Sequence, residues 1–156
     1  MKFLINSLFV AILAMFVAAP AMAADEHGTS QEAVNLVKKT IDFYKKNGGE
    51  KTYAEINSQS PEFKFKDLYV FAAPIKSGGV LSAHGANPKL VGKDLSELKD
   101  ADGNFITKRM VEVAQSKEGK GWVDYKWPNP VTKEIQQKST YVERVDDIYF
   151  ACGIYK

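Results

Sequence analysis

The chain has 156 residues, 21 of them basic and 19 acidic, for a formal net charge of +2. That balance excludes the strongly basic surface that nucleic acid or an anionic membrane would require of a partner. A lone cysteine, Cys152, excludes an internal disulfide, and its apolar surroundings from Ile148 to Ile154 mark it as a small buried hydrophobe.

Residues 1–23, MKFLINSLFVAILAMFVAAPAMA, carry one early lysine, an apolar run, Pro20 and a closing Ala21-Met22-Ala23. This is the pattern of a secretory signal peptide cut after Ala23. The apolar run from Phe3 to Ala19 is interrupted by Asn6 and Ser7, and so falls short of the ~20 residues of a spanning helix. The expectation is an exported, periplasmic protein with no stable membrane insertion after cleavage. Removing residues 1–23 leaves 133, residues 24–156, enough for one domain with a single core.

The first element of that domain is a helix. Thr29-Ser30-Gln31-Glu32 fits a capping box, and Val34, Val37, Ile41 and Tyr44 recur at helical spacing. Asn47-Gly48-Gly49 stops it. A short second helix over Lys51–Asn57 ends at Ser60-Pro61. Strands follow at Leu68–Ala73 and Val80–His84, joined by a turn at Ser77-Gly78-Gly79. A loop runs from Gly85 past Asp94. Asp100-Ala101-Asp102-Gly103 resembles the start of a calcium loop but lacks its later oxygen ligands, so it reads as a turn. Ile106, Met110, Val113 and Ala114 mark a third helix, closed by Gly119-Lys120-Gly121. Three further strands are predicted at Trp122–Trp127, Ile135–Val145 and Ile148–Tyr155, the last two joined by a two-residue turn at Asp146-Asp147. Short connections favour an antiparallel sheet flanked by helices, an α+β domain.

Side chains alternate along a strand, and a tight turn sets the register. Flanking Asp146-Asp147 with Val145 and Ile148 pairs Thr140 with Gly153 and Val142 with Ala151. Pairing Tyr125 with Lys138 in the preceding hairpin puts Trp127 against Gln136. One face then carries Val123, Tyr125, Trp127, Gln136, Lys138 and Thr140 beside Ala151 and Gly153. The other carries Trp122, Tyr141, Ile148, Phe150, Cys152 and Ile154, and is expected to bury the first helix. On the first face, aromatics and a lysine surround small residues. That arrangement leaves a hollow, and a buried ammonium there calls for a counter-charge such as a small carboxylate. Tyr69 and Phe71 share a phase, and His84 lies across the turn from them, able to donate from either ring nitrogen. By residue type alone, Lys138 also fits a solvated strand position, Tyr125 and Trp127 also fit a core, and His84 also fits a turn cap. No metal cluster, no nucleophile with its base and no phosphate-binding glycine loop is present, so neither an enzyme nor a cofactor is expected.

The mature chain resembles the single Cache domains of bacterial extracytoplasmic sensors. The stretches that carry the resemblance are Leu81-Ser82-Ala83-His84-Gly85-Ala86-Asn87-Pro88, Leu90-Val91-Gly92-Lys93-Asp94-Leu95, Asp102-Gly103, Gly121 to Pro130, Lys138-Ser139-Thr140-Tyr141-Val142 and Gly153-Ile154-Tyr155. The resemblance implies a PAS-like fold. In it, a long N-terminal helix lies on one face of a five-stranded antiparallel sheet, and a helix and loops cover a ligand pocket on the other. It implies small ligands, often short organic acids. It places His84 at the pocket edge, Tyr125 and Trp127 on the third strand and Lys138 against the carboxylate, with Tyr69 and Phe71 added from the strand phases. Relatives of this type are mostly membrane receptors. This chain ends at Lys156, directly after its last strand, so output is expected to pass through a partner: a membrane sensor kinase, a chemoreceptor or a transporter. The competing expectation is a protein-interaction module without a small ligand.

Overall fold

The computed structural model describes residues 27–156, and the leader expected over residues 1–23 lies outside them. Helix α1 spans Ser30–Asn47. Its capping box is formed: the Thr29 hydroxyl accepts from the Glu32 amide, and the Glu32 carboxylate accepts from the Thr29 amide. Gly48, at φ 81°, ends it in a conformation that side chains resist, and α2 (Gly49–Asn57) starts at once. Helix α3 covers Ile106–Gln115.

Among the described residues six strands form one antiparallel sheet: β1 (Lys64–Phe65), β2 (Leu68–Pro74), β3 (Ala83–His84), β4 (Lys120–Pro128), β5 (Ile135–Val145) and β6 (Ile148–Tyr155). The order runs β2-β6-β5-β4, with β1 and β3 both paired to β2. Register agrees with the turn-based expectation for β5 and β6, where Thr140 faces Gly153 and Val142 faces Ala151, and with the pairing assumed for β4 and β5, where Tyr125 faces Lys138 and Trp127 faces Gln136. Phe71 faces His84.

Three details differ from the expected elements. Two-residue β1 is too short to signal itself. The second expected strand shrinks from Val80–His84 to Ala83–His84, because the carbonyls of Gly79 and Leu81 are taken by the amides of Leu95 and Gly92 instead of by β2. Trp122 is not buried under α1. The helix lies over β6, β5 and β2, and Trp122 on the edge strand remains 41% exposed beside Tyr141.

The two faces build two cores. Ala33, Val37 and Ile41 of α1 pack on Val70, Phe150 and Cys152. Ile106, Met110 and Ala114 of α3 pack on the other face against Phe71, Val123, Tyr149 and Ala151. Side chains cover a stretch of each sheet edge. At β3, Asn57 Oδ1 accepts from the His84 amide and Asn57 Nδ2 donates to the Ser82 carbonyl. At β4, Arg109 donates to the Asp124 carbonyl, and Asp100 accepts from the Lys126 amide.

The entry to α1 is anchored by Asp67 in the β1–β2 turn. Its buried carboxylate accepts from the Gly28 amide at 2.7 Å and pairs with His27 Nδ1 at 2.8 Å. Replacing Asp67 by Ala leaves that amide buried without its acceptor. The expected loss is ~1–3 kcal/mol in urea unfolding, and an unchanged midpoint would count against the anchor.

Candidate ligand-binding site

Beneath α3 and the loop after β3 lies an inner chamber of about 30 Å³. It is space for a water or two. Its floor is Tyr69 and Phe71 of β2, His84 of β3, and Tyr125 and Trp127 of β4. Its lid is Leu90, Leu95, Leu98, Ile106 and Met110. The lid is tied down by backbone contacts and by the Thr107 hydroxyl, which donates to the Leu95 carbonyl at 2.7 Å. A wider outer cleft of about 270 Å³ adjoins it, sharing Tyr69, His84, Leu90 and Trp127 and adding Asn87 and the Pro128-Asn129-Pro130 turn. Five of the six expected site residues therefore line one hollow.

The sixth, Lys138, lies one layer behind the wall. It is 0% exposed. Its Nζ donates to Tyr69 Oη at 2.6 Å and sits 3.9 Å from the centre of that ring, 4.8 Å from Tyr155 and 5.9 Å from Phe71. Gly153 makes this path possible. A Cβ there would stand 2.3 Å from Lys138 Cε and 2.3 Å from Thr140 Oγ1. No carboxylate of the described residues is within ion-pair distance of the ammonium. Burial pushes it down from the usual lysine range to about 7, and Cys152 and Asp67 work against that fall.

The hydrogen bonds from Lys138 have a direction. Tyr155 O–H donates to the Pro128 carbonyl at 2.9 Å, so its oxygen must accept from Tyr69 at 3.2 Å, and Tyr69 accepts from Lys138. The chain thus runs from the interior to the rim of the outer cleft. Beside it, Thr140 donates to Tyr125 at 3.0 Å.

His84 is buried and neutral. Burial, and after it the charge of Lys138, hold its imidazolium down to about 3. The amides of Ala86 and Asn87 both donate to Nδ1, at 3.3 and 2.9 Å. The proton is therefore on Nε2, the one nitrogen left to donate into the hollow. The turn-capping role and the donor role fall to the two nitrogens of one ring.

Several site residues escaped the sequence reading. Leu90, Leu95 and Leu98 sit in a loop whose spacing follows neither a strand nor a helix period. Tyr155 was within reach, since the register that pairs Thr140 with Gly153 also pairs Lys138 with Tyr155. Asn57, which holds both neighbours of Ala83 in place, carries no sequence signal.

The chain matches the profile of the single Cache domain 2 family over residues 5–155 and belongs to that family. Over 66 residues it is 38% identical to the methyl-accepting chemotaxis protein McpP of Pseudomonas putida, a stretch that is 42% of this chain and 12% of that relative. Among solved structures, it superposes with a TM-score of 0.67 on a Cache chemosensory domain described for its recognition of carboxylic acids. That pair is 26% identical and covers 81% of this chain and 92% of the other. A methyl-accepting chemotaxis protein from Vibrio parahaemolyticus shares the fold at TM-score 0.67, with 22% identity over 80% of this chain and 86% of its own.

Two substitutions probe the buried ammonium. Gly153→Ala is expected to displace the Lys138 stem and cost ~1–3 kcal/mol in thermal or urea unfolding. Lys138→Met addresses charge. Unfolded Lys138 holds its proton up to about 10.5 and folded Lys138 only to about 7, so its destabilising effect is complete below 7 and fades as pH rises through that window. The variant is expected to melt several degrees higher than wild type below pH 7, at roughly 2–4 °C per kcal/mol, with the gap closing in alkali. A pH-independent gap would count against a buried charge.

Proposed function

We propose that the exported chain is a periplasmic receptor domain for short-chain carboxylates, cut after Ala23, that passes occupancy to a membrane-bound partner such as a chemoreceptor, sensor kinase or transporter. The observation that carries this reading is the buried Lys138 ammonium, hydrogen-bonded among the described residues to the Tyr69 hydroxyl alone, with the His84 ring 5.0 Å from that of Tyr69. A carboxylate seated against Tyr69 and His84 accepts one hydrogen bond from each, and Lys138 supplies the charge from behind Tyr69. Such charge-assisted bonds in a site shut off from water are worth more than the same bonds at the surface. The carboxylate-binding structural neighbour supports the ligand class, and the apolar lid supports a short hydrocarbon tail. The inner chamber, with room for a water or two, admits at most the end of an acid held in the outer cleft, which favours two- and three-carbon acids. Its other groups do not favour a second charge: Thr107 is committed to a backbone carbonyl, and the leucines offer none.

Titration calorimetry with acetate, propionate, lactate and pyruvate tests the reading on protein recovered from the periplasm, whose mass also reads the cleavage site. Saturable binding is expected for at least one acid. Lys138→Met and His84→Gln should each weaken it by roughly tenfold or more, the loss of one charge-assisted bond. No binding of any acid by a folded protein would instead favour an interaction module whose hollow is filled by its own side chains.

A further inference from the structure

We propose, resting on the carboxylate reading above, that the site takes up its ligand as an acid equivalent, one anion together with one proton, and that Lys138 is where the proton is held.

The geometry around the ammonium leads here. The titratable groups facing it come from every neighbouring element: Tyr69 from β2, His84 from β3, Tyr125 from β4, Cys152 and Tyr155 from β6, and Asp67 from the β1–β2 turn. None of the tyrosines is an anion, because burial drives all three phenols up. Burial likewise drives the Cys152 thiol up to about 12. The Asp67 carboxylate is engaged by Gly28 and His27. What remains around Nζ is one hydroxyl and the faces of aromatic rings. Ring faces return part of the desolvation cost of a cation but not all of it. The empty site therefore releases its proton readily near neutrality.

An arriving carboxylate reverses the balance. It places the missing counter-charge a few ångströms from Nζ, which favours the ammonium. The overall step is the anion plus a proton plus the free site giving the protonated, occupied site. Uptake of the neutral acid by a neutral lysine reaches the same end state, so the bookkeeping of charge is the same by either route. His84 is a poor alternative home for the proton. Its Nδ1 lone pair already accepts two amides, and protonating it would forfeit both and set a second cation beside Lys138. The consequence is a response that follows the product of anion and proton concentrations. Below pH 7 Lys138 is already charged and binding draws no proton. Above it, uptake approaches one proton per ligand, and affinity falls roughly tenfold per pH unit.

The test is calorimetry of acetate binding to the full exported chain, from about pH 6 to about pH 9, in two buffers at each pH whose pKa values lie near it. The two buffers differ in ionisation heat, so the difference in observed enthalpy counts protons. Expected is a count near zero at the acid end and near one at the alkaline end, with affinity falling in step. His84→Gln should weaken binding but keep the alkaline proton count. Acetate binding with no proton uptake and a flat affinity across the range overturns the linkage and leaves the carboxylate reading intact. Uptake that disappears in His84→Gln overturns the assignment to Lys138. Where acetate does not bind, the same titration is read with whichever of propionate, lactate and pyruvate does, and failure of all four at every pH overturns the receptor reading itself.

Discussion

Lys138 Nζ lies 2.6 Å from Tyr69 Oη, with three aromatic rings around it and Gly153 under its stem. An ammonium taken out of water costs several kcal/mol even after relaxation, and an aromatic face returns on the order of 2 kcal/mol of it. The rest must come from elements that keep the cage closed. β5 is central in the sheet, so Lys138 is locked between β4 and β6 by two full hairpin registers. The core under α1 holds β2 and β6 together, and hence Tyr69 and Tyr155. A loss in that distant core therefore loosens the ammonium as surely as a change beside it.

The proton directions give the site a bias. In the described network Tyr69 O–H is spent on Tyr155, and Tyr155 O–H on the Pro128 carbonyl. A ligand that takes the Tyr69 proton must take it from Tyr155. The Tyr155 O–H would still reach the Pro128 carbonyl, so what such a ligand removes is the link between the floor and the Pro128-Asn129-Pro130 rim, not the hold on the rim.

Much of this arrangement was legible before any coordinates. The two-residue turn at Asp146-Asp147 leaves little freedom in register, so Lys138, Thr140 and Gly153 fell on one face correctly. The longer β4–β5 loop sets no register by itself, and Tyr125 and Trp127 joined that face through an assumed pairing of Tyr125 with Lys138 that the sheet adopts. Thr29 and Glu32 announced the start of α1, and Gly48 its end. What was not legible depends on contacts distant in sequence. The lid leucines hang from the carbonyls of Gly79 and Leu81, which no local pattern reveals. Trp122 stays exposed because α1 lies over the inner strands and not the edge, a matter of helix placement and not of hydrophobicity. The tautomer of His84 follows from a backbone turn at Ala86 and Asn87. The depth of Lys138 follows from the missing side chain at Gly153, whose smallness was noted but whose role as a channel for the lysine stem was not.

Asn57 at β3, and Arg109 with Asp100 at β4, stand where the next strand of a growing sheet would place its own amides and carbonyls. An unsatisfied strand edge is an invitation to pair with any extended peptide, including a second copy in a crowded compartment. Here those positions are filled by side chains of the same molecule. Strand addition at β3 or along Asp124–Lys126 of β4 would have to displace them first, which disfavours β-augmentation at those two stretches.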